Sequence, residues 1–389
     1  MSGIGIIAEF NPLHTGHEFL INEAKKYGTV VCVISGNFVQ RGDTAIAEKR
    51  IRALAALKAG ADLVIELPVL WSMSTAQNFA LGGVSALKNA GCNKIMFGSE
   101  CGDIKELLNA ADILLSDDFS KNVQKKVESG ITFAAARQSA AEELGVKKGI
   151  LEGANNNLGL EYILAARNIG FNPEFITVCR RGAAHDSKME DEFVSASLLR
   201  DKLLKGDSAF CKRYMSEEIL KLFSSENLSD IKRIDTAILA ILRSKSQNML
   251  KTLPDLSEGL ENKLFSAISI ATNLEELYNT IKVKRYTLAR IRRLVLSAFI
   301  GADNSFFMKP VPYLRILGFN KKGEAFMREN LKGCKVPIIN RIADVEKLEP
   351  SAKSVFETEA RATDLYLLSL EKPQKCGLEY TSKLIKTEC

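Results

Sequence analysis

The sequence has 389 residues, a length that exceeds one typical domain and predicts two or three domains. Its formal net charge of +6 is mildly basic, which permits a nucleic-acid partner without requiring one. Eight cysteines without a C-x-x-C pair, together with only three histidines, argue against a disulfide framework and a structural zinc site.

The first 200 residues alternate short apolar runs with segments of helical periodicity. We predict strands at Ile4–Ala8, Val30–Ser35, Leu63–Leu67, Lys94–Gly98 and Phe175–Val178. We predict helices at His14–Lys26, Ala45–Ala59, Thr75–Ala90 and Asn155–Ile169. Strands that alternate with helices of this length indicate an α/β fold, with a parallel sheet covered on both faces.

The rest of the chain is predicted to be mostly helical. Asp112–Leu151 has helical periodicity, and further helices are predicted at Glu217–Ser225, Ile231–Arg243, Leu274–Ile281, Leu288–Phe299 and Asp364–Leu370. Short strands are predicted at Val311–Leu317 and Val336–Asn340, and the tail after Lys372 is expected to be frayed. We therefore predict two domains, an α/β domain at 1–205 and a mostly helical domain at 206–389.

No apolar run approaches the ~20 residues that a membrane span needs. The sequence also starts without a basic-then-apolar leader. We therefore expect a cytoplasmic protein with no membrane partner.

The stretch Phe10-Asn11-Pro12-Leu13-His14-Thr15-Gly16-His17 follows the first predicted strand. His14 and His17 are three residues apart at a helix start, so they face the same way beside free backbone N–H groups and the positive end of the helix dipole. This arrangement suits a polyphosphate and the charge that develops when its α-phosphate is attacked. The alternative is two ordinary surface histidines, but two of the only three histidines in the chain lie here.

Polar clusters follow four of the predicted strands, at Asn11–His17, Ser35–Asp43, Gly98–Asp103 and Arg180–Asp186. In an open parallel sheet the ligand binds at the carboxyl ends of the strands, so these clusters are expected to meet. His185 belongs to the last cluster. All three histidines are therefore predicted to lie at one pocket.

The F-N-P-x-H-x-G-H stretch resembles the signature of the nucleotidylyltransferase superfamily. The resemblance implies a Rossmann-like sheet in which His14 and His17 contact ATP phosphates and stabilise the transition state as pyrophosphate is displaced. A second element of this superfamily is a serine-rich turn followed by a basic residue. It is similar to the stretch Ser195-Ala196-Ser197-Leu198-Leu199-Arg200. Ser197 would then be catalytic and Arg200 would supply charge, whereas the alternative is an ordinary capped helix.

Further stretches closely resemble the bacterial tRNA(Met) cytidine acetate ligase family. They are Ser35–Asp43, Gly60–Pro68, Phe97–Glu100, Asn155–Gly159, Arg180–Gly182, His185-Asp186 and Tyr313–Phe319. This resemblance implies that ATP and acetate form acetyl-adenylate with release of pyrophosphate. The acetyl group would then pass to N4 of the wobble cytidine of elongator tRNA(Met), giving N4-acetylcytidine.

By motif position, the resemblance implies ATP contacts from one continuous segment and from six other residues. The segment comprises Ile7, Ala8, Glu9, Phe10, Asn11, Pro12, Leu13, His14, Thr15, Gly16, His17, Glu18, Phe19 and Leu20. The others are Gly98, Asn155, Asn156, Arg180, Arg181 and Arg200. A turn glycine, helix caps and solvent-facing arginines are the alternatives for most of these six. ATP is thus an expected co-substrate, and Mg²⁺ is compatible with the chemistry although no sequence feature indicates an ion.

A basic stretch in the second half is the predicted RNA-binding segment. Six of the twelve residues from 282 to 293 are basic and none is acidic. Lysine and arginine bind phosphates, and a tyrosine ring can stack on an unpaired base. The predicted tRNA-binding residues are Lys282, Lys284, Arg285, Tyr286, Arg290 and Arg293. The alternative is a solvated helix face.

A smaller cluster of Lys49, Arg50 and Arg52 is expected to guide the anticodon stem.

ATP-dependent acetate:tRNA ligation is therefore the leading hypothesis. One alternative is an adenylyltransferase that acts on a small phosphorylated metabolite, and another is a catalytically inactive RNA-binding relative. The long basic second half favours a macromolecular acceptor, and the intact His14, Gly16, His17 and Ser197 favour an active enzyme.

Overall fold

The computed structural model describes residues 1–179, 195–224, 227–257, 259–283 and 286–388. Its strands are β1 (Gly3–Ala8), β2 (Thr29–Ser35), β3 (Phe38–Val39), β4 (Asp43–Thr44), β5 (Leu63–Leu67), β6 (Lys94–Ser99), β7 (Glu174–Cys179), β8 (Leu314–Phe319), β9 (Ile338–Ile339) and β10 (Ile385–Lys386). No helix among these described residues is long and apolar enough to cross a membrane.

The helices come in two groups along the chain. Up to residue 204 they are α1 (Thr15–Ala24), α2 (Lys49–Ala59), α3 (Val69–Ser72), α4 (Ala76–Asn89), α5 (Ile104–Leu114), α6 (Asp117–Glu128), α7 (Phe133–Glu143), α8 (Ala154–Asn168) and α9 (Ala196–Leu204). Beyond it they are α10 (Ser208–Cys211), α11 (Glu217–Ser224), α12 (Asp235–Arg243), α13 (Gln247–Leu250), α14 (Leu260–Ile270), α15 (Leu274–Ile281), α16 (Leu288–Ile300), α17 (Lys321–Asn330), α18 (Pro350–Tyr366) and α19 (Leu378–Thr381).

The main sheet has the order β10-β8-β5-β2-β1-β6-β7, with β9 paired to β8. The strands from β5 to β7 in this order are parallel, while β8 runs antiparallel to β5. The predicted α/β fold with a parallel sheet is confirmed. Along the chain, β2 and β5 are added on one side of β1, and β6 and β7 are then added on its other side. The switch point therefore lies between β1 and β6, where ligands of such sheets bind at the carboxyl ends.

Both faces of the sheet are covered, as the apolar strands predicted. Successive residues of a strand point to opposite faces. Ile7 and Val33 pack into the core under α4 and α8, whereas Ile6 and Cys32 pack into the core under α1 and α2. These four residues are at most 8% exposed. Both faces of the central strands are therefore packed against helices, and the carboxyl ends of these strands are left as the place where a ligand can bind.

The helices from α12 to α16 form a third apolar core. Leu239, Leu277 and Leu294 lie in it, and it continues onto Phe38 of β3 and Tyr366 of α18, whose rings are 6.3 Å apart. The chain after residue 205 thus packs on the sheet through this core and also supplies β8, β9 and β10 to the sheet. The division into two domains at residue 205 stays a prediction.

Two predictions about elements are wrong. The helix predicted to start at Ala45 begins at Lys49, because the Ala45 N–H bonds the Asn37 carbonyl and the Ile46 N–H bonds the Asn11 side chain. The tail after Lys372 is not frayed. It forms α19 and β10, and β10 pairs in parallel with β8.

A buried ion cluster joins the two halves of the chain. Lys49 Nζ contacts the carboxylates of Glu66, Glu359 and Glu379, with 2.9 Å to Glu359 Oε1. Arg315 pairs with Glu66 at 3.4 Å and also with Glu379. All five side chains are at most 9% exposed. Buried charges are costly unless they are paired, so each member depends on the others.

Three carboxylates in this cluster face only two cations. Burial, together with the neighbouring Glu66, raises the pKa of Glu359 to about 8. Burial opposes ionisation of Glu379 as well, but Lys49 and Arg315 outweigh it and lower its pKa to about 2. At neutral pH the cluster is therefore balanced by a proton on Glu359.

This proton predicts a pH-dependent stability that Glu359→Gln should remove. Because the pKa of Glu359 is higher in the folded protein, its contribution is complete below its ordinary pKa and is lost as the pH rises to about 8. The urea-unfolding midpoint of the variant, minus that of the natural protein, should therefore increase over this range and then level off. Glu357→Gln on the exposed side of α18 is the matched control. A difference that does not change with pH would contradict a protonated Glu359.

Candidate active site at the carboxyl edge of the sheet

The loop after β1 brings both motif histidines to the start of α1. His14 is the N-cap residue, and its Nδ1 accepts a hydrogen bond from Gly16 N at 3.1 Å. His17 Nδ1 accepts from His14 N at 3.4 Å, and the ring centroids lie 4.0 Å apart. Because each Nδ1 accepts a backbone N–H, the neutral rings carry their protons on Nε2. The pair therefore presents two Nε2–H donors at a helix N-terminus, which suits a phosphate group.

The other residues of the predicted ATP-binding segment Ile7–Leu20 fall into two groups. Some are buried and pack near the histidines, and others lie at the surface. Phe10 and Leu13 are fully buried, and the Phe10 ring packs edge-on against His17 at 5.1 Å. The Glu18 carboxylate accepts from Ser216 Oγ at 2.6 Å, and Phe19 is exposed. The buried members thus hold the histidines in place, and direct ATP contacts by the segment stay a prediction.

Asn11 connects this loop to two other segments. Its Oδ1 accepts from Ile46 N at 2.7 Å, and its backbone carbonyl accepts from Arg200 Nη1 at 2.9 Å. The side chain is 3% exposed. Its amide oxygen therefore has a structural partner in the backbone that precedes α2.

The serine-rich element lies beside the first motif, as the superfamily resemblance implies. Ser195 is the N-cap residue of α9, and its Oγ accepts from Leu198 N at 3.3 Å. Ser197 is exposed, and its hydroxyl lies 3.1 Å from Ser195 Oγ. Arg200 reaches back to Asn11. Ser195 thus caps α9. The Ser197 hydroxyl lies at the surface, on the helix whose Arg200 contacts the loop of the histidines.

Glu100 organises the start of α8, a role that the sequence did not reveal. Its carboxylate accepts from Asn155 N at 3.0 Å and from Asn156 N at 2.7 Å. Asn156 Oδ1 in turn accepts from Glu100 N at 3.0 Å and Cys101 N at 3.2 Å. Burial opposes ionisation, but these donors outweigh it and lower the pKa of Glu100. The α8 N-terminus is therefore already occupied by a carboxylate, and the Asn156 side chain supports the loop after β6.

Gly98 is half-buried in β6, where it pairs with Val178 of β7. Its place next to the switch point is compatible with a nucleotide, and its contact with ATP stays a prediction. The predicted Arg180, Arg181 and His185 lie outside the described residues.

Arg52 is a second residue whose role the sequence did not reveal. It is fully buried and donates to the backbone carbonyls of Glu9 at 2.7 Å and Ser35 at 3.0 Å, and also to that of Gly36. It thereby ties the loops after β1 and β2 together. The expectation that Lys49 and Arg52 guide the anticodon stem is wrong, because both side chains are buried.

The hairpin of β3 and β4 lies between the histidine loop and the basic helix α16. Gln40 N donates to Glu9 Oε1 at 2.8 Å, and Gln40 O accepts from Arg293 Nη1 at 3.2 Å. Gly42 has φ +71°, and a Cβ there would lie 2.6 Å from Arg292 Cβ. The backbone of one hairpin residue, Gln40, thus bridges the candidate site and the predicted RNA-binding segment.

The described part of the basic segment differs in exposure along its length. Lys282 is exposed, whereas Arg290 and Arg293 each pair with Asp255 at 3.2 Å. Tyr286 is 9% exposed, and its hydroxyl bonds Ser257 Oγ at 2.9 Å. The Tyr286 ring is therefore not placed to stack on an unpaired base. Lys284 and Arg285 lie outside the described residues.

The one group of three potential metal ligands found among the described residues is Glu66, Glu359 and Glu379. Their oxygens lie within 4.8 Å of one another, but Lys49 Nζ contacts all three. An ammonium group therefore already fills the position that a cation would take. These carboxylates fit an ion-pair cluster and not a metal site.

Comparison with known proteins agrees with this geometry. The HIGH Nucleotidyl Transferase family model matches residues 1–380. The chain has a TM-score of 0.92 with Thermotoga maritima TmcAL bound with alpha-thio ATP, at 27% identity and full coverage of both chains. The apo form of the same protein gives a TM-score of 0.90 at 28% identity.

Curated relatives extend the match over nearly the whole chain. The tRNA(Met) cytidine acetate ligase of Caldanaerobacter subterraneus subsp. tengcongensis is 37% identical over 99% of this chain and 100% of its own length. That of Acetivibrio thermocellus is 34% identical with the same coverage. The resemblance seen in the motifs is confirmed, and the chain belongs to the tRNA(Met) cytidine acetate ligase family.

Proposed function

We propose that this protein is an ATP-dependent acetate ligase that acts on elongator tRNA(Met). An acetate oxygen attacks the α-phosphorus of ATP, which forms acetyl-adenylate and releases pyrophosphate. N4 of the wobble cytidine then takes the acetyl group, which gives N4-acetylcytidine and AMP. The observation that carries the proposal is the pair of His14 and His17 at the start of α1, beside the switch point, in a chain that aligns end to end with enzymes of that name.

The first step needs positioning and charge stabilisation and no covalent catalyst. The two imidazoles donate Nε2–H to phosphate oxygens, and the N-terminus of α1 adds its dipole. Arg200 of α9 donates to the Asn11 carbonyl in this loop, and we propose that the exposed Ser197 hydroxyl at the start of the same helix binds phosphate. A Mg²⁺ ion that accompanies ATP would be held chiefly by the phosphates, because the described carboxylate cluster already holds Lys49.

For the RNA, we propose the surface around the start of α16. Lys282 is exposed there, Arg290 and Arg293 both pair with Asp255, and Arg293 also donates to Gln40 of the hairpin that contacts Glu9. Lys284 and Arg285 belong to the same proposal on their sequence position alone. Phosphate contacts by these cations would supply salt-dependent affinity next to the site of acetyl transfer.

The direct test supplies the purified protein with ATP, labelled acetate and elongator tRNA(Met). We expect release of AMP and pyrophosphate and label at N4 of the wobble cytidine, detected after nuclease digestion by chromatography. A tRNA(Met) with uridine at the wobble position is the matched control and should take no label. AMP transferred to a small phosphate ester, with no label in tRNA, would instead support adenylyl transfer to a metabolite.

His17→Ala should abolish adenylate formation and leave tRNA binding largely unchanged. Loss of one positioned donor to the developing charge costs about 100- to 1,000-fold in rate. Acetate-dependent exchange of pyrophosphate into ATP measures this step, and filter binding measures the RNA. Asn22→Ala on the exposed face of α1 is the control. Weakened tRNA binding with unchanged exchange would contradict the assigned role.

Replacing Lys284 and Arg285 by alanine should weaken tRNA binding and flatten its salt dependence. Each lost phosphate contact lowers the slope of log K against log salt by about one, so a decrease of about two is expected. Pyrophosphate exchange should be unaffected. Lys251→Ala with Lys263→Ala, two exposed lysines of the same region, is the charge-matched control. If the control pair changes the slope as much, the RNA does not bind this segment specifically.

A further inference from the structure

Glu9 is a carboxyl group in the candidate site to which the adenylation step described above assigns no chemical role. It directly follows β1 and is half-buried at the carboxyl edge of the sheet. The next residue, Phe10, has φ +49°, a left-handed conformation that costs a non-glycine residue on the order of 1–2 kcal/mol. The fully buried Phe10 ring anchors this turn. The direction of the Glu9 side chain is thus set by a strained and well-packed backbone.

One oxygen of the Glu9 carboxyl is held in place and the other is not. Oε1 accepts from Gln40 N at 2.8 Å, and the backbone carbonyl accepts from Arg52 Nη1 at 2.7 Å. Among the described residues, Oε2 has no hydrogen-bond partner. A carboxylate fixed through one oxygen can accept a proton on the other without reorganising.

The charges around Glu9 come from every element that packs against it. Arg52 of α2, Arg200 of α9 and Arg41 of the hairpin face it, and so does the Tyr162 hydroxyl of α8. Burial raises the pKa of Glu9, and the three arginines oppose this effect. The group is thus a stronger base than a surface carboxylate.

The second chemical step requires such a base. The exocyclic amine of cytidine is a weak nucleophile and must lose a proton as its bond to the acetyl carbon forms. The neutral imidazoles of His14 and His17 cannot accept this proton at Nε2, because their Nδ1 atoms accept backbone N–H groups and Nε2 already carries hydrogen. Burial raises the pKa of Asp43 as well, with Arg200 and Arg292 opposing this effect, but Asp43 belongs to β4 of the hairpin, whereas Glu9 is in the loop that carries the histidines.

We propose that Glu9 is the catalytic base of acetyl transfer, an inference that depends on the proposed function. The N4 amine attacks the carbonyl carbon of acetyl-adenylate, and the new C–N bond forms as a proton passes from N4 to Glu9 Oε2. The bond between the carbonyl carbon and the phosphate oxygen then breaks, and AMP leaves with its electron pair. Glu9 afterwards returns its proton to solvent.

The test measures the two chemical steps separately in the Glu9→Gln variant. The amide oxygen of the new glutamine can still accept the hydrogen bond from Gln40 N. We expect acetate-dependent pyrophosphate exchange to fall much less than transfer, because glutamine keeps the size of the side chain and an acceptor oxygen for Gln40 N. Transfer from preformed acetyl-adenylate to elongator tRNA(Met), measured in a single turnover, should fall by at least about 100-fold. Glu9→Asp should recover part of the rate. Glu23→Gln on α1 is the control for removal of a carboxylate outside the site.

The pH dependence of transfer distinguishes a base from a structural residue. The rate of the natural enzyme should rise with pH through the pKa of Glu9 and then level off, because only the ionised carboxylate accepts a proton. The residual rate of Glu9→Gln should lack this rise. The proposal is overturned if exchange falls as much as transfer, if the rise persists in Glu9→Gln, or if Asp43→Asn abolishes transfer instead. Absence of N4-acetylcytidine with the natural enzyme would overturn the proposed function itself and the base assignment with it.

Discussion

The buried cluster around Lys49 is the constraint on which the rest of the structure depends. Its members come from α2, β5, β8, α18 and α19, so sequence positions more than 300 residues apart share one set of ion pairs. Removing water from these charged groups is costly, and only their mutual pairing offsets that cost. The C-terminal tail must therefore fold onto the sheet, since Glu379 lies six residues before Ile385, the first residue of β10.

The helix that carries Lys49 of this cluster also holds the loops of the candidate active site. Asn37 follows β2 and accepts from Lys49 N at 2.8 Å, while its amide donates to Thr363 of α18 at 3.1 Å. One turn along α2, Arg52 binds the carbonyls at the ends of β1 and β2. A single helix thus holds the ion cluster on one side and the histidine loop on the other. The loop that presents His14 and His17 is thereby connected through α2 to the ion cluster that the C-terminal elements complete.

The sequence predicts this molecule well where local pattern determines the outcome. Apolar runs and helical periodicity identify the five parallel strands, and the spacing of His14 and His17 identifies the helix start. Local pattern fails where a distant segment determines burial. Lys49 and Arg52 look like a basic surface, but β8, α18 and the tail cover the first and backbone carbonyls surround the second. Likewise, the ring of Tyr286 belongs to the helical core, which no local feature of a basic segment indicates.

Gln40 shows why the two chemical steps belong to one structural unit. Its N–H binds Glu9, which follows the strand that carries the histidine loop, and its carbonyl binds Arg293 of the basic helix. Gly42 lets the hairpin approach α16 closely, because any side chain there would meet Arg292. An acyl-adenylate made at the histidines and an RNA held by α16 would therefore meet at this hairpin. The contacts of Gln40 thus connect the histidine loop to a helix that lies beyond residue 205.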